Sequence, residues 1–137
     1  MAGLPLLDTN PILRHALDDH PDHSPRSHAL FARVEQGQER LRLTDAVVFE
    51  AAFTLERFYK VPRVAIRTTL LDIIQLPGLV LPGKQAYRQM FDLWVSQPKL
   101  SFADCYHVVF VQRHNLPAIV TFDQDFDRVP GLTRREP

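Results

Sequence analysis

The sequence predicts an α/β sandwich built on a parallel sheet. Short apolar runs of strand length alternate with longer segments whose apolar residues recur at helical spacing. The first of these runs is nearly continuous, which is typical of a strand that is covered on both faces. The chain has 137 residues, 45% of them hydrophobic, which is enough for one core. We therefore predict a single domain spanning residues 1–137.

The first strand is predicted at Gly3–Leu7, the nearly continuous apolar run. A helix follows it, with Asn10 as a plausible N-cap and Pro11 in the first helical position. The segment Asp18–Ser27 is polar and contains two prolines, so we expect an exposed connection there. The next helix is predicted at about Pro25–Glu35.

The middle of the chain repeats this alternation. Leu41–Leu43 predicts a short strand, and Thr44 then caps a long helix that runs to about Tyr59. A further helix is predicted at Arg63–Ile74, and another strand at Leu79–Leu81.

Two helices and a strand complete the chain. The helices are predicted at Lys84–Val95 and from Ser101 through Val111, and the second of them is apolar on most faces and should be deeply packed. Ala118–Phe122 is the clearest strand of the sequence.

Composition narrows the class of protein only in part. The 16 basic and 16 acidic residues balance, so net charge does not indicate a nucleic-acid or membrane partner. The one cysteine, Cys105, excludes an internal disulfide framework and predicts a buried structural thiol. No signal peptide is visible, and no apolar segment approaches the ~20 residues that cross a bilayer. We therefore expect a cytoplasmic location.

Four acidic residues stand at structural junctions: Asp8, Glu50, Asp104 and Asp123. Asp8 and Asp123 directly follow predicted strands, whereas Glu50 and Asp104 lie in early turns of predicted helices. Because parallel strands end, and the following helices begin, at the same edge of a sheet, we expect these carboxylates to converge. A pocket of carboxylates suits a hard divalent cation such as Mg²⁺ or Mn²⁺.

Polar neighbours of these acids are candidates for support. Thr9, Asn10 and Thr121 carry short polar side chains that could orient carboxylates or waters. The last motif offers Asp123, Asp125 and Asp127, so Asp125 is a possible ligand and the fourth position is open; we place Asp123 first.

Each acid also has a purely structural alternative. Asp104 and Ser101 match a capping box, Glu50 could be a solvated residue paired with Arg57 or Thr54, and Asp8 could form an Asx turn. Each alternative is plausible alone. Four coincidences at one sheet edge are less so, which favours a site.

The histidines offer a second candidate site. His15, His20, His23 and His28 surround an acidic stretch, but the prolines there favour an exposed loop over a tetrahedral zinc site. For His107, three residues after Asp104, we expect a packed core position.

The acids and their contexts resemble a PIN domain, and most closely the VapC-type ribonuclease toxins of bacterial toxin–antitoxin pairs. The resemblance spans nearly the whole chain and depends on four segments, Leu6–Asn10, Thr44–Glu50, Leu100–Asp104 and Val120–Phe126. It implies a three-layer α/β/α sandwich with a central parallel sheet of four or five short strands.

The resemblance also implies a function. The protein would be a Mg²⁺- or Mn²⁺-dependent endoribonuclease that hydrolyses RNA phosphodiester bonds with a metal-activated water, and Asp8, Glu50, Asp104 and Asp123 would be its metal ligands and catalytic residues. Its partners would be the RNA substrate, an antitoxin protein and a second copy of the chain, with no membrane.

Two alternatives stay open. One is a catalytically inert PIN-like module that binds RNA or regulates. The other is an aspartyl-phosphate phosphotransferase with Asp8 as nucleophile. Asn10 disfavours the latter, because the haloacid dehalogenase type would have a second aspartate there.

Overall fold

The computed structural model describes residues 3–137, so the first two residues of the predicted domain lie outside the described part. The chain divides into two compact units, one extending to Lys84 and the other comprising Gln85–Pro137. Both units combine helices with short parallel strands, which confirms the α/β class. Within the described residues, no helix is long and apolar enough to cross a membrane.

Helices dominate the first unit. Its elements are α1 (Thr9–Leu17), α2 (His23–Glu35), β1 (Leu41–Arg42), α3 (Asp45–Arg57), α4 (Arg63–Ile74) and β2 (Leu79–Val80). The second unit follows a 3₁₀ turn at Lys84–Ala86. Its elements are α5 (Tyr87–Ser96), α6 (Phe102–Arg113), β3 (Ile119–Val120), a 3₁₀ turn at Gln124–Arg128, and β4 (Arg134–Arg135).

Each unit contains one parallel strand pair. In the first, β1 pairs with β2, and Leu6 forms a single parallel bridge to Arg42 on the other side of β1. In the second, β3 pairs with β4, in the register Val120 with Arg135. The predicted central sheet of four or five strands is not shown by these pairs, and β4 was not predicted.

The first predicted strand, Gly3–Leu7, is shorter in the structure than expected. Only the bridge at Leu6 joins it to β1, where the Leu7 N–H donates to the Arg42 carbonyl oxygen over 2.8 Å. Leu7 is 3% exposed but Leu6 is 62% exposed. The expectation of a strand covered on both faces is therefore wrong for this segment.

Two helices begin earlier than predicted. Asp8, not Asn10, is the N-cap of α1, so Pro11 is the third helical residue, and Pro25 holds the same position in α2. Proline is tolerated there because the first N–H groups of a helix have no partner within it. The exposed connection predicted at Asp18–Ser27 accordingly ends before His23, and Ser24 and Ser27 are buried.

Caps and helical periodicity predicted the other helices well. The Thr44 hydroxyl accepts a hydrogen bond from the Val47 N–H over 3.3 Å and caps α3, as predicted. The bounds of α4 are those expected. α6 begins one residue later than predicted, with Ser101 as its N-cap, and α5 begins three residues later because Lys84–Ala86 forms a 3₁₀ turn first.

The second unit has an aromatic core. Phe91 and Phe102 lie with ring centroids 4.5 Å apart, and Trp94 meets Phe102 edge-on at 5.5 Å, in the range of favourable ring pairs. Cys105 is fully buried on α6, which confirms the predicted structural position of its thiol.

Gly78 allows a close approach in the first unit. A Cβ atom at this position would lie 2.8 Å from Val34 Cγ1 and 2.9 Å from the Glu39 carbonyl oxygen. The Gly78 carbonyl in turn accepts a hydrogen bond from the Leu41 N–H over 2.9 Å, at the start of β1. The end of α2 therefore packs against the entry to β2 only because residue 78 has no side chain.

Candidate active site

The four motif acids are divided between the units. Asp8 and Glu50 belong to the first unit, and Asp104 and Asp123 to the second. Taken separately, the described part of the first unit and the second unit each contain no group of three or more His, Cys, Asp or Glu side chains that could hold a metal ion. Each unit therefore contains two motif acids, which is fewer than the three side chains of such a group.

Asp8 is the N-cap residue of α1, but its carboxylate accepts no hydrogen bond from the N–H groups of the helix. It has extended backbone angles, φ −83° and ψ 172°, and its side chain makes no capping hydrogen bond. The side chain is exposed. The alternative of an Asx turn at this residue is therefore not observed, and the helix does not engage this carboxylate.

Glu50 is held by the residue that follows Asp8. The Thr9 hydroxyl donates to Glu50 Oε2 over 2.8 Å, linking the first residue of α1 to the second turn of α3. Thr9 is 5% exposed, so this hydroxyl is shielded from water. The alternative partner Arg57 lies instead beside Glu56, with 3.9 Å between Arg57 Nε and Glu56 Oε1.

Asp104 forms the capping box that the sequence predicted. Its backbone N–H donates to Ser101 Oγ over 3.1 Å, and the Ser101 N–H donates to Asp104 Oδ2 over 3.0 Å. The box engages Oδ2 and leaves Oδ1 outside it. A structural role and a ligand role for Asp104 are therefore compatible.

Asp104 and Asp123 share one cavity of about 510 Å³ in the second unit. Residues of α6, β3 and the turn after it form its walls. They are Asp104, His107, Phe110, Val111, Ala118, Ile119, Val120, Thr121, Asp123 and Phe126. Asp125 and Asp127 are not among the residues that line it.

Arginines distinguish the three aspartates of the last motif. Asp125 Oδ1 accepts from Arg128 Nε over 3.2 Å, and Asp127 Oδ1 accepts from Arg134 Nε over 2.9 Å. The hydrogen bond with Asp127 is also the main reason why the pKa of Arg134 is raised. Asp123 Oδ1 accepts only the Asp125 N–H, over 2.9 Å, and within residues 3–137 no ion pair neutralises it.

The three predicted supporting residues differ in what they contact. Thr9 holds the Glu50 carboxylate directly. Thr121 acts on the backbone instead, because its hydroxyl accepts the Asp123 N–H over 3.0 Å. Asn10 lines a separate cavity of about 470 Å³ together with residues of α2.

His107 is exposed and lines the cavity of Asp104 and Asp123, so the expectation of a packed core position is wrong. Its spacing of three residues from Asp104 was the signal for a shared helix face. Sequence reasoning did not predict its exposure, because α6 is apolar on most faces.

Two other histidines, one on each of the first two helices, lie in contact with each other. His15 on α1 and His28 on α2 are half-buried, with 2.6 Å between their Nδ1 atoms, and His28 Nε2 lies 2.9 Å from Asp18 Oδ1. Burial, followed by the charge of His28, lowers the pKa of His15.

Similarity to a known family identifies the class of protein. The family model of the PIN domain matches residues 6–132, so the chain belongs to the PIN-domain family, and the resemblance seen in the motifs is confirmed. The chain is also similar to VapC ribonuclease Mb1869c of Mycobacterium bovis and to ribonuclease VapC13 of Mycobacterium tuberculosis. Each is 28% identical over 131 residues, covering 94% of this chain and 97% of the relative.

Proposed function

We propose that this protein is a metal-dependent endoribonuclease that hydrolyses RNA phosphodiester bonds and serves as the toxin of a toxin–antitoxin pair. One observation carries the proposal. Within residues 3–137, none of the four motif acids, Asp8, Glu50, Asp104 and Asp123, has a cationic side chain as its partner. The similarity to two VapC ribonucleases over nearly their full length supports the same activity.

The donor set fits Mg²⁺ or Mn²⁺. Carboxylate oxygens are the ligands that hard divalent cations take, and Asp8, Glu50, Asp104 and Asp123 are the residues proposed to hold the ion. An ion held by these residues would supply a water of lowered pKa and would stabilise charge on the leaving oxygen.

The chain's own residues hold the proposed ligands in place. Thr9 fixes one oxygen of Glu50, and the Ser101 N–H fixes one oxygen of Asp104. Such contacts restrict the rotation of a carboxylate and so raise its affinity for a cation. Among the aspartates of the last motif we assign the role to Asp123, because arginines already neutralise Asp125 and Asp127.

The proposal includes the organisation of the protein. We propose that residues 1–137 are one PIN domain with a central parallel sheet of four or five strands, and that the protein acts in the cytoplasm as a homodimer. An antitoxin would inhibit it. An arginine of that antitoxin would match the carboxylates in charge and in hydrogen-bonding geometry.

Replacement of Asp8 by asparagine tests the activity. Asp8→Asn keeps the size of the side chain but removes a charged ligand, so RNA cleavage with Mn²⁺ should fall by more than about 100-fold, beyond the effect of losing a supporting contact. Gel analysis of RNA cleavage measures the activity, calorimetry measures Mn²⁺ binding, and circular dichroism shows whether the fold is retained.

Asp72→Asn is the matched control, since Asp72 is an exposed acid of the same unit outside the proposed ligand set. It should cleave RNA at the wild-type rate. Full cleavage by Asp8→Asn, or by the wild type in excess EDTA, would contradict the proposal. If the wild-type protein binds RNA but neither binds Mn²⁺ nor cleaves RNA, the alternative of a catalytically inert module is favoured.

A further inference from the structure

An aromatic stack lies on α6 beside the cavity of Asp104 and Asp123. It consists of Tyr106 and Phe110 on one face of the helix and of His114, the residue that follows the helix, each four residues after the one before. Tyr106 and Phe110 are stacked with ring centroids 6.2 Å apart, and Phe110 and His114 have centroids 4.2 Å apart. We call these three residues the α6 stack.

The α6 stack is open to solvent at its centre. Phe110 is 43% exposed although it lines the cavity, and His114 is exposed. Val120, on the strand that forms another wall of the same cavity, is 50% exposed. Core packing does not account for this apolar surface. The surface adjoins Asp104 and Asp123, which line the same cavity.

Unpaired arginines flank this surface. Arg113 precedes His114 at the end of α6, and Arg135 is the register partner of Val120 on β4. Both arginines are exposed, and neither forms an ion pair within the described residues. Exposed cations beside aromatic faces suit a nucleic-acid strand, because arginine binds phosphate while rings stack on bases.

We propose that the α6 stack binds an unpaired base of the RNA substrate, next to the phosphate that is cleaved. This inference rests on the proposed function. A base inside a double helix has both faces covered by its neighbours, whereas an unpaired base can stack on a protein ring. The α6 stack therefore selects single-stranded segments and loops over paired RNA.

Carboxylates in the cavity argue against an apolar protein segment as its occupant. Asp104 and Asp123 both line it, and burying them under an apolar helix would remove water from two charges without a counter-ion. A nucleotide brings its phosphate to the acids together with a divalent cation, and its base to the rings.

Steady-state cleavage of a short single-stranded RNA tests the proposal. Phe110→Ala should raise KM about tenfold and leave kcat nearly unchanged, because stacking binds the ground and transition states alike. Phe110→Leu keeps the apolar volume but lacks a flat ring, so its KM should rise as in Phe110→Ala. Phe110→Tyr keeps the ring and should retain the wild-type KM.

The matched control is Phe58→Ala, which removes an exposed phenylalanine of the other unit and should leave KM unchanged. In an Asp8→Asn background, in which cleavage is expected to be strongly reduced, RNA carrying 2-aminopurine should show fluorescence quenching that Phe110→Ala abolishes. Circular dichroism confirms folding of every variant.

A wild-type KM and full quenching in Phe110→Ala would overturn the proposal. Cleavage that depends on Asp8 but not on Phe110 would leave the proposed function standing and reject only the base subsite. Cleavage independent of Asp8 would reject the proposed function itself.

Discussion

At the scale of single residues, Thr9 shows how a hydroxyl can support a carboxylate without being a ligand. It is buried, it donates to Glu50, and it follows Asp8 directly in the chain. Thr9→Val removes the donor with little change in shape, so we expect Mn²⁺ affinity to fall about 10- to 100-fold. Calorimetric titration measures this.

Thr9→Ser keeps the hydroxyl and should retain wild-type Mn²⁺ affinity. A purely structural role for Thr9 would lower the melting temperature of Thr9→Val without altering the affinity of the folded protein for Mn²⁺. That result would refute the supporting role of this hydroxyl.

His15 gives the stability of the fold a defined pH dependence. Its pKa is lowered below 6.5 by burial and by the charge of His28, against the opposing charge of Asp18. His15 and His28 line a cavity of about 420 Å³, and Glu35 and Asp72 line it as well. As pH falls below about 6.5, the unfolded chain binds a proton at His15 before the folded protein does, so the stabilisation present above that pH is lost.

His15→Phe keeps a ring against Phe31, whose centroid lies 4.7 Å from that of His15, but cannot be protonated. Between pH 7.5 and 5.5, the melting temperature of the wild type should therefore fall further than that of His15→Phe. Thermal unfolding followed by circular dichroism measures both. Parallel pH profiles would show that His15 does not contribute.

At the scale of elements, the capping box of α6 separates stability from metal binding. Ser101→Ala removes the hydroxyl that caps the helix but keeps the backbone N–H that holds the Asp104 carboxylate. The free energy of unfolding should fall by about 1 kcal/mol, which lowers the melting temperature by roughly 3–5 °C. Mn²⁺ affinity should not change.

Thr44→Ala is the control for the cap, because Thr44 caps α3 through the same kind of hydrogen bond. It should show a similar loss of stability. An unchanged melting temperature in Ser101→Ala would contradict the capping role, and a reduced Mn²⁺ affinity would show that the hydroxyl also positions Asp104.

Helices were predictable here because their signals are local. Thr44 and Ser101 mark helix starts through the side chain's own chemistry, and periodicity gave the bounds of α4. Strands were harder, because each has only two residues and depends on a partner distant in sequence. β4, Arg134–Arg135, has no apolar pattern that sequence analysis could detect.

The sequence predicts the candidate site as a set of acids, and their role as metal ligands stays a prediction; the contacts of each acid could not be predicted. Sequence spacing could not choose among Asp123, Asp125 and Asp127, since the choice depends on which carboxylates meet an arginine in the folded chain. The exposure of His107 was not predicted either, because the apolar pattern of α6 indicated burial on most faces of the helix.

For the molecule as a whole, a balanced net charge conceals an uneven pairing of charges. The chain has 16 basic and 16 acidic residues, yet the four motif acids have no cationic partner in the described part of the chain. A polyanion such as RNA is repelled by unpaired acids. Binding of substrate and binding of cation are therefore expected to support each other, which composition alone could not indicate.

Gly78 has a consequence for how variation in this chain is interpreted. The Glu39 oxygen that a Cβ would meet at 2.9 Å belongs to the backbone, so no change of side-chain rotamer makes room for it. In a codon-by-codon substitution library, every amino-acid change at this codon should disturb the fold. The effect does not depend on catalysis, so it should also be seen in an inactive background. Intolerance at this codon would then resemble the purifying selection expected of a catalytic position, although its cause is steric.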